Sequence, residues 1–238
     1  MSITSQDLVR AVKINSLTMA QSCLDAGVNP DLPDEGLDKT PLYVAAKLRN
    51  NLAMTKLLLE AGANPNIRVK EECGRPLPYV MVRDMKNLPI LQALLDAGAD
   101  PNSLGCDKLK WTALHYSVRY GKQLEAVKAL LGAGANPNAQ NWNKSTPLHY
   151  AAMAHDERVD ILQILLEAGA DPNAQTRKRS TPLHFAAMWN GGEAIVSILL
   201  SSGANPNIKN EDEKTPFQLA TDYGRPKGIL KILSDANR

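Results

Sequence analysis

The most constraining feature of this sequence is a five-residue turn motif that recurs six times. The copies, which read Gly-Ala/Val-Asn/Asp-Pro-Asn/Asp, occupy residues 27–31, 62–66, 98–102, 134–138, 169–173 and 203–207, and successive copies begin 34 to 36 residues apart. A period of this size is typical of a chain built from stacked structural repeats. In such a chain each repeat buries its apolar face against its neighbours, and residues of distant repeats do not converge on one pocket.

A second marker recurs in register with the turn motif. It reads Thr-Pro-Leu-His at Thr146 and Thr181, and variants of it begin at Thr40, Arg75, Thr112 and Thr215. A threonine hydroxyl can cap the free N–H groups at the start of a helix, and proline is tolerated at the first helical position because no N–H is needed there. We therefore predict that a helix begins at each copy.

A leucine-rich run precedes the glycine of most turn motifs. Leu162, Leu165 and Leu166, for example, have the i, i+3, i+4 spacing of one apolar helical face, and Gly169 follows them. Glycine commonly ends a helix in the left-handed conformation, and a proline shortly afterwards prevents continuation. Each repeat is thus predicted to be a helix, a short loop, a second helix, a glycine stop and a polar connection.

These markers together resemble the ankyrin repeat, most fully over residues 146–173 and 181–207. The resemblance covers nearly the whole chain and implies an all-α ankyrin-repeat solenoid of stacked helix-turn-helix units with short β-hairpin fingers. We predict one domain over residues 1–238. Its approximate repeats are 1–29, 30–64, 65–100, 101–136, 137–171, 172–205 and 206–238. The first and last repeats read as caps, because terminal repeats need a polar outer face, and we expect the solenoid to be complete.

The sequence departs from the ankyrin pattern in two respects. Proline replaces the usual aliphatic residue of the turn in every copy, and the repeat that begins near Arg75 reads RPLPYVMV where the others carry the Thr-Pro-Leu-His pattern. We therefore expect the first helix of that repeat to be irregular.

Composition excludes several classes of protein. A formal net charge of +2 is too small for the single-sign field that nucleic-acid or membrane-surface binding usually needs. No apolar run approaches the ~20 residues of a membrane span, and the first residues do not read as a secretory leader. Cys23, Cys73 and Cys106 are odd in number and far apart, which favours inert thiols in a reducing compartment. We expect a cytoplasmic protein, in the host cytosol if it is a bacterial or viral effector.

No motif for catalysis or metal binding is present in the sequence. His115, His149 and His184 share one position of three repeats, and the resemblance implies that they tie neighbouring repeats together through hydrogen bonds. His155 lies outside the pattern and is predicted to be solvated. Because no nucleophile has an adjacent base and no pair of ligands has metal spacing, we predict no enzyme, no catalytic residue, no metal and no cofactor.

The resemblance also implies where a partner would bind: on a concave surface formed by the finger tips and by the residues that end each first helix. All three tryptophans of the chain fall at these positions, with tyrosine, methionine and arginine, which are the residue types enriched at the centres of protein interfaces. The candidates are Arg83, Trp111, Arg119, Tyr120, Trp142, Asn143, Met153, Arg177, Lys178, Met188, Trp189 and Tyr223. The alternative is that some of these aromatic side chains pack against the next finger and are buried.

The finger sequences alternate in charge. Residues 107–110 and 176–180 are basic, whereas residues 70–73 and 210–214 are mostly acidic. Such runs are usually solvated surface, although a partner with an acidic spot near residues 177–179 is conceivable.

The favoured function is that of an intracellular adaptor, inhibitor or effector, monomeric when free, that binds another protein through the concave face of the central repeats, the fourth to the sixth. An alternative is a small-ligand or oligonucleotide sensor that stacks bases on Trp142 and Trp189 beside Arg119 and the basic residues 177–179, although the low net charge disfavours nucleic acid. A regulatory segment of a larger protein and self-association through Met188 and Trp189 are further alternatives.

Overall fold

The computed structural model of the chain describes residues 3–33, 39–48, 51–68, 76–82, 88–105, 108–120, 124–153, 159–189 and 191–236. This described part contains fourteen α-helices and no strand. The first helices of the successive pairs are α1 (Ser5–Lys13), α3 (Pro41–Lys47), α5 (Leu77–Met81), α7 (Ala113–Tyr120), α9 (Pro147–Ala152), α11 (Pro182–Trp189) and α13 (Pro216–Asp222). The second helices are α2 (Leu17–Asp25), α4 (Leu52–Glu60), α6 (Leu88–Asp96), α8 (Leu124–Gly132), α10 (Val159–Glu167), α12 (Gly192–Ser201) and α14 (Lys227–Ala236).

The helices pack in two parallel rows. Every first helix contacts the second helix of its own pair, each first helix contacts the next first helix along the chain, and the second helices stack in the same way. The predicted all-α solenoid is therefore confirmed.

One apolar core runs between the two rows. In the second helices a leucine at the same position of successive repeats is fully buried, namely Leu58, Leu94, Leu130, Leu165 and Leu199. In the first helices alanine pairs such as Ala151 and Ala152 are fully buried, so that neighbouring backbones can approach closely. Burial of each leucine side chain contributes about 1.5–3 kcal/mol, which makes this row of leucines a main source of cohesion between repeats.

The helix starts follow the predicted chemistry. The hydroxyl oxygen of Thr40 accepts a hydrogen bond from the Tyr43 N–H at 3.2 Å, and Pro41 occupies the first turn. The first helix of the Arg75 repeat differs, as expected: α5 spans only five residues, and Pro76 at its N-cap has no side-chain acceptor to offer. Arg75 itself lies outside the described residues.

The helix ends also follow prediction. Gly169 has a φ of +86°, and the Ala170 N–H returns to the Leu165 carbonyl oxygen at 2.9 Å. The glycines of the other five turn motifs have φ between +82° and +90°. Only glycine adopts this backbone conformation without steric cost, which explains its recurrence at this position.

A ladder of asparagine side chains connects the turns of neighbouring repeats. The Asn138 amide nitrogen donates to the Gly169 carbonyl oxygen at 2.8 Å, and the Asn138 amide oxygen accepts from the Asp171 N–H at 2.7 Å. The same two bonds are made by Asn66, Asn102 and Asn173. The last residue of each of these four turn motifs thus orders the next turn.

Candidate protein-binding surface

Three buried histidines join consecutive repeats. The Thr146 N–H donates to Nδ1 of His149 at 3.1 Å, so Nδ1 is an acceptor and Nε2 donates to the Ser180 carbonyl oxygen at 3.1 Å. His115 bonds the Ser145 carbonyl and His184 the Lys214 carbonyl in the same way. Burial lowers the pKa of all three to about 4, which keeps the rings neutral. The linking role is confirmed, and His155 lies outside the described residues.

Three of the predicted fingers form tight hairpin turns. Each is closed by a backbone hydrogen bond from the N–H of its first residue to the carbonyl oxygen of its last, for Asn141 and Ser145, Thr176 and Ser180, and Asn210 and Lys214. In the finger before them, the Gly105 N–H donates to the Trp111 carbonyl oxygen. Neighbouring tips are joined by further backbone bonds, from Trp142 to Leu109, from Arg177 to Asn143 and from Glu211 to Lys178, at 2.9–3.0 Å. The four fingers therefore form one connected edge.

The finger tips meet the C-terminal ends of the first helices. The Lys214 ammonium lies 2.5 Å from the Asp222 carboxylate at the end of α13, and the Trp111 ring lies 5.7 Å, between centroids, from Tyr120 at the end of α7. The two sets of residues are thus continuous. We call this surface, made of fingers 108–111, 142–145, 177–180 and 211–214 and the last residues of the adjoining first helices, the inner surface.

Large aromatic side chains are exposed on the inner surface. Tyr120 is 61% exposed, Trp142 49%, Trp189 53% and Tyr223 52%, and Leu109 beside Trp142 is 43% exposed. Side chains of this size bury 150–250 Å² each when covered. Such a concentration on one surface is typical of an interaction site.

Trp111, in contrast, is buried by packing against the next repeat, as the alternative interpretation of the sequence allowed. It is 6% exposed, and its ring centroid lies 4.9 Å from that of Tyr150 in the next repeat. The Tyr150 hydroxyl accepts a hydrogen bond from the Asn141 amide at 2.7 Å, and burial raises its pKa. Tyr150 therefore supports the finger that carries Trp142. Sequence reasoning missed this residue because nothing distinguishes it from an ordinary helix position.

The remaining candidates are partly covered. The Arg119 guanidinium lies 5.3 Å from the centroid of the Tyr120 ring, a distance suited to a cation–π contact. Asn143, Met153 and Met188 are half-buried. Arg83 lies outside the described residues.

The alternating finger charges pair with one another. The Arg177 Nε–H donates to the Trp142 carbonyl oxygen at 2.7 Å. Lys178 lies 2.7 Å from Glu211, and Arg179 lies 3.2 Å from Glu213. Exposed ion pairs of this kind contribute little to stability, but they compensate the charge of finger 177–180 locally.

One residue of each finger has a left-handed backbone. Lys110, Lys144, Arg179 and Glu213, which occupy the same finger position, have φ between +52° and +57°. This conformation costs a non-glycine residue about 1–2 kcal/mol. Sequence analysis missed this position, because the side chains there give no sign of the backbone conformation.

No metal site and no reactive thiol stand out in the described part of the chain. Its histidine, cysteine, aspartate and glutamate side chains form no group of three that could hold a metal ion. Cys23 is a buried free cysteine, and burial raises the pKa of its thiol. Cys73 and Cys106 lie outside the described residues. None of the described helices combines the length and the apolar character needed to cross a membrane.

Comparison with known proteins agrees with this architecture. The family model described as "Ankyrin repeats (3 copies)" matches residues 8–104, 79–176 and 156–238. The crystal structure of the ankyrin repeat domain of Bcl-3, described as "a unique member of the IkappaB protein family", is 28% identical in sequence and superposes with a TM-score of 0.79. The match covers 96% of this chain and 97% of that one. No curated protein matches the sequence.

Ankyrin repeat proteins are generally non-enzymatic interaction modules, and both similarities support a protein–protein interaction module. Because the family model matches almost the whole chain, the protein belongs to the ankyrin repeat family.

Proposed function

We propose that this interaction module acts as a cytoplasmic adaptor, inhibitor or effector that binds a partner protein through the inner surface of its central repeats. No catalytic step, metal or cofactor is part of the proposal, and the free protein is monomeric. The observation that carries it is the exposure of Tyr120, Trp142 and Trp189 on one connected surface. Tyrosine and tryptophan at the centre of an interface often supply most of the binding free energy.

The backbone beneath these side chains favours binding. The Trp142 N–H donates a hydrogen bond to the Leu109 carbonyl oxygen, and the Trp142 carbonyl oxygen accepts one from the Arg177 Nε–H. Three neutral histidines bond the fingers to the first helices of the preceding repeats. A partner would therefore meet aromatic side chains on an ordered platform, which reduces the entropy lost on binding.

The oligonucleotide-sensor alternative has weaker support. The basic residues that it would use include Lys178 and Arg179, and both are paired with carboxylates, those of Glu211 and Glu213. Phosphate groups would have to displace these carboxylates, which adds to the disadvantage of the low net charge.

The proposal is tested with a triple variant, Tyr120→Ala/Trp142→Ala/Trp189→Ala. The wild type and the variant are used as baits in quantitative affinity purification, and circular dichroism checks that both are folded. We expect the variant to lose specific partners, because truncation of a central aromatic residue typically costs 2 kcal/mol or more, a factor of about thirty in affinity.

The matched control is Ile14→Ala/Leu17→Ala/Leu32→Ala, which removes three exposed apolar side chains from the N-terminal repeats, outside the fingers and helix ends that define the inner surface. This control should retain the partners. Equal loss in the two variants, or retention in both, would refute binding through the inner surface.

A further inference from the structure

Three cations stand in a row along the inner surface. Lys110, Lys144 and Arg179 occupy the same left-handed position of three consecutive fingers, and Glu213 occupies that position in the fourth. We call these four residues the charged row. The side chains of Arg179 and Glu213 touch at 3.2 Å, so residues at this position of neighbouring fingers lie within reach of one another.

The other two steps of the row bring like charges together. The fingers of Lys110 and Lys144 are joined by a backbone hydrogen bond, and so are the fingers of Lys144 and Arg179. Both bonds are equivalent to the one that joins the fingers of Arg179 and Glu213. Within the described part of the chain neither lysine has an ion pair, and both are exposed. Lys108, also exposed, is a second cation on the same finger as Lys110.

Two costs accompany these lysines. Like charges at adjacent positions repel, and a lysine in the left-handed region stores backbone strain that glycine would avoid. Strain and repulsion at an exposed position, with no ion pair to offset them, point to a function outside the fold.

Apolar side chains are exposed beside the unpaired lysines. Leu109 lies between Lys108 and Lys110 and is 43% exposed, while Trp142 on the next finger is 49% exposed. The backbone bond between Trp142 and Leu109, at 3.0 Å, places these side chains on adjacent tips.

We propose that fingers 108–111 and 142–145 bind an acidic segment of the partner protein, with carboxylates against Lys110 and Lys144 and an apolar side chain against Leu109 and Trp142. This inference rests on the proposed function and adds the chemical character of the partner. Charge complementarity at such a site supplies specificity and fast association more than affinity alone.

The distribution of charge favours a short protein segment over a nucleic acid. The row of cations ends at Glu213, and Glu211 and Asp212 add two more carboxylates to the same tip. A polyanion that continued along the fingers would meet these three carboxylates, whereas an acidic segment of a few residues ends before them.

The test uses fluorescein-labelled peptides of about twelve residues, read by fluorescence anisotropy. The acidic probe repeats Glu-Asp-Phe-Glu, a neutral probe replaces the acids with Gln and Asn, a basic probe replaces them with Lys, and an oligothymidylate of the same length represents nucleic acid. We expect the wild type to bind the acidic probe about tenfold more tightly than the neutral one and to bind it less tightly at high salt.

The decisive variant is Lys110→Glu/Lys144→Glu. It should weaken binding of the acidic probe by at least about tenfold and should favour the basic probe. Glutamate is compatible with this backbone, since Glu213 adopts it at a φ of +56°. Lys110→Gly/Lys144→Gly, which removes the charges and relieves the backbone, should also weaken acidic-probe binding.

The matched control is Lys56→Glu/Lys231→Glu, which makes the same change in net charge on the exposed sides of α4 and α14. It should bind the acidic probe as the wild type does. Equal weakening in this control, preference of the wild type for the neutral or basic probe, or tighter binding of oligothymidylate would each overturn the inference.

The failure of this inference is distinguishable from failure of the proposed function. If partners depend on Tyr120, Trp142 and Trp189 but not on the two lysines, the inner surface binds a protein whose contacting segment is not acidic. If neither set matters, both proposals fail.

Discussion

At the scale of single residues, the same finger position combines strain with exposed charge. Lys110, Lys144, Arg179 and Glu213 all hold φ above +50°, where side chains are disfavoured. Glycine would suit the turn better, so these side chains carry a cost to folding. If the two lysines bind a partner as proposed, stability and binding oppose each other at this position.

The Lys144→Gly variant tests this opposition. Glycine relieves the left-handed strain in the folded state but loses more backbone entropy on folding, so we expect a net gain of about 0.5–1 kcal/mol in the free energy of unfolding, measured by urea denaturation. Lys56→Gly, in the exposed part of α4, should instead lose about 1 kcal/mol. A loss of stability in Lys144→Gly would show that its side chain stabilises the finger.

At the scale of elements, two sets of side chains join neighbouring repeats. Histidine side chains bond the next finger, and asparagine side chains bond the next turn. The close approach of first helices depends in addition on small residues. Gly191, which follows α11, is an example, because a Cβ atom there would lie 2.5 Å from the Ala152 carbonyl oxygen.

The Gly191→Ala variant should therefore push α9 and α11 apart. We expect it to lower the free energy of unfolding by about 1–3 kcal/mol, the usual cost of overpacking a well-packed site. Gly132→Ala is the matched control: a Cβ atom there has no neighbour within 4 Å, and alanine favours the helix by up to about 1 kcal/mol. Urea midpoints of the two variants should shift in opposite directions, and a common direction would contradict the packing argument.

At the scale of the whole molecule, the three histidine bridges make stability depend on pH. Each ring has a pKa of about 4 in the folded chain, against an ordinary value near 6.5. Between these values the unfolded chain binds protons that the folded chain does not. The contribution of each histidine to the free energy of unfolding is therefore complete above pH 6.5 and is lost as the pH falls towards 4.

We expect the contribution of each bridge to the free energy of unfolding to fall by on the order of 2 kcal/mol between pH 7 and pH 5. The measurement is the urea midpoint over this range for the wild type and for His149→Gln. Gln218 occupies the histidine position of the last repeat, where its Oε1 accepts from the Thr215 N–H at 2.9 Å, so glutamine preserves the helix cap without titrating. The variant should lose about a third of the pH dependence, and an unchanged dependence would contradict a neutral buried His149.

Much of the fold could be predicted from the sequence because its determinants are local and periodic. Glycine at the helix ends, threonine and proline at the helix starts, and the leucine spacing of the second helices each act within a few residues, and all recur in register. The irregular α5 was also predictable, since Arg75 stands where other repeats have the capping threonine. Repetition likewise showed that the three histidines are structural.

The candidate site was only partly predictable. The sequence alone determined the register of the repeats, and with it the positions that reach the inner surface. Only the tertiary structure decided which aromatic residues remain exposed there, because Trp111 is covered by Tyr150 of the next repeat while Trp142 has no such cover. It also decided which cations are paired, since contacts such as Arg179 with Glu213 join residues 34 apart in sequence whose distance depends on how closely the repeats stack.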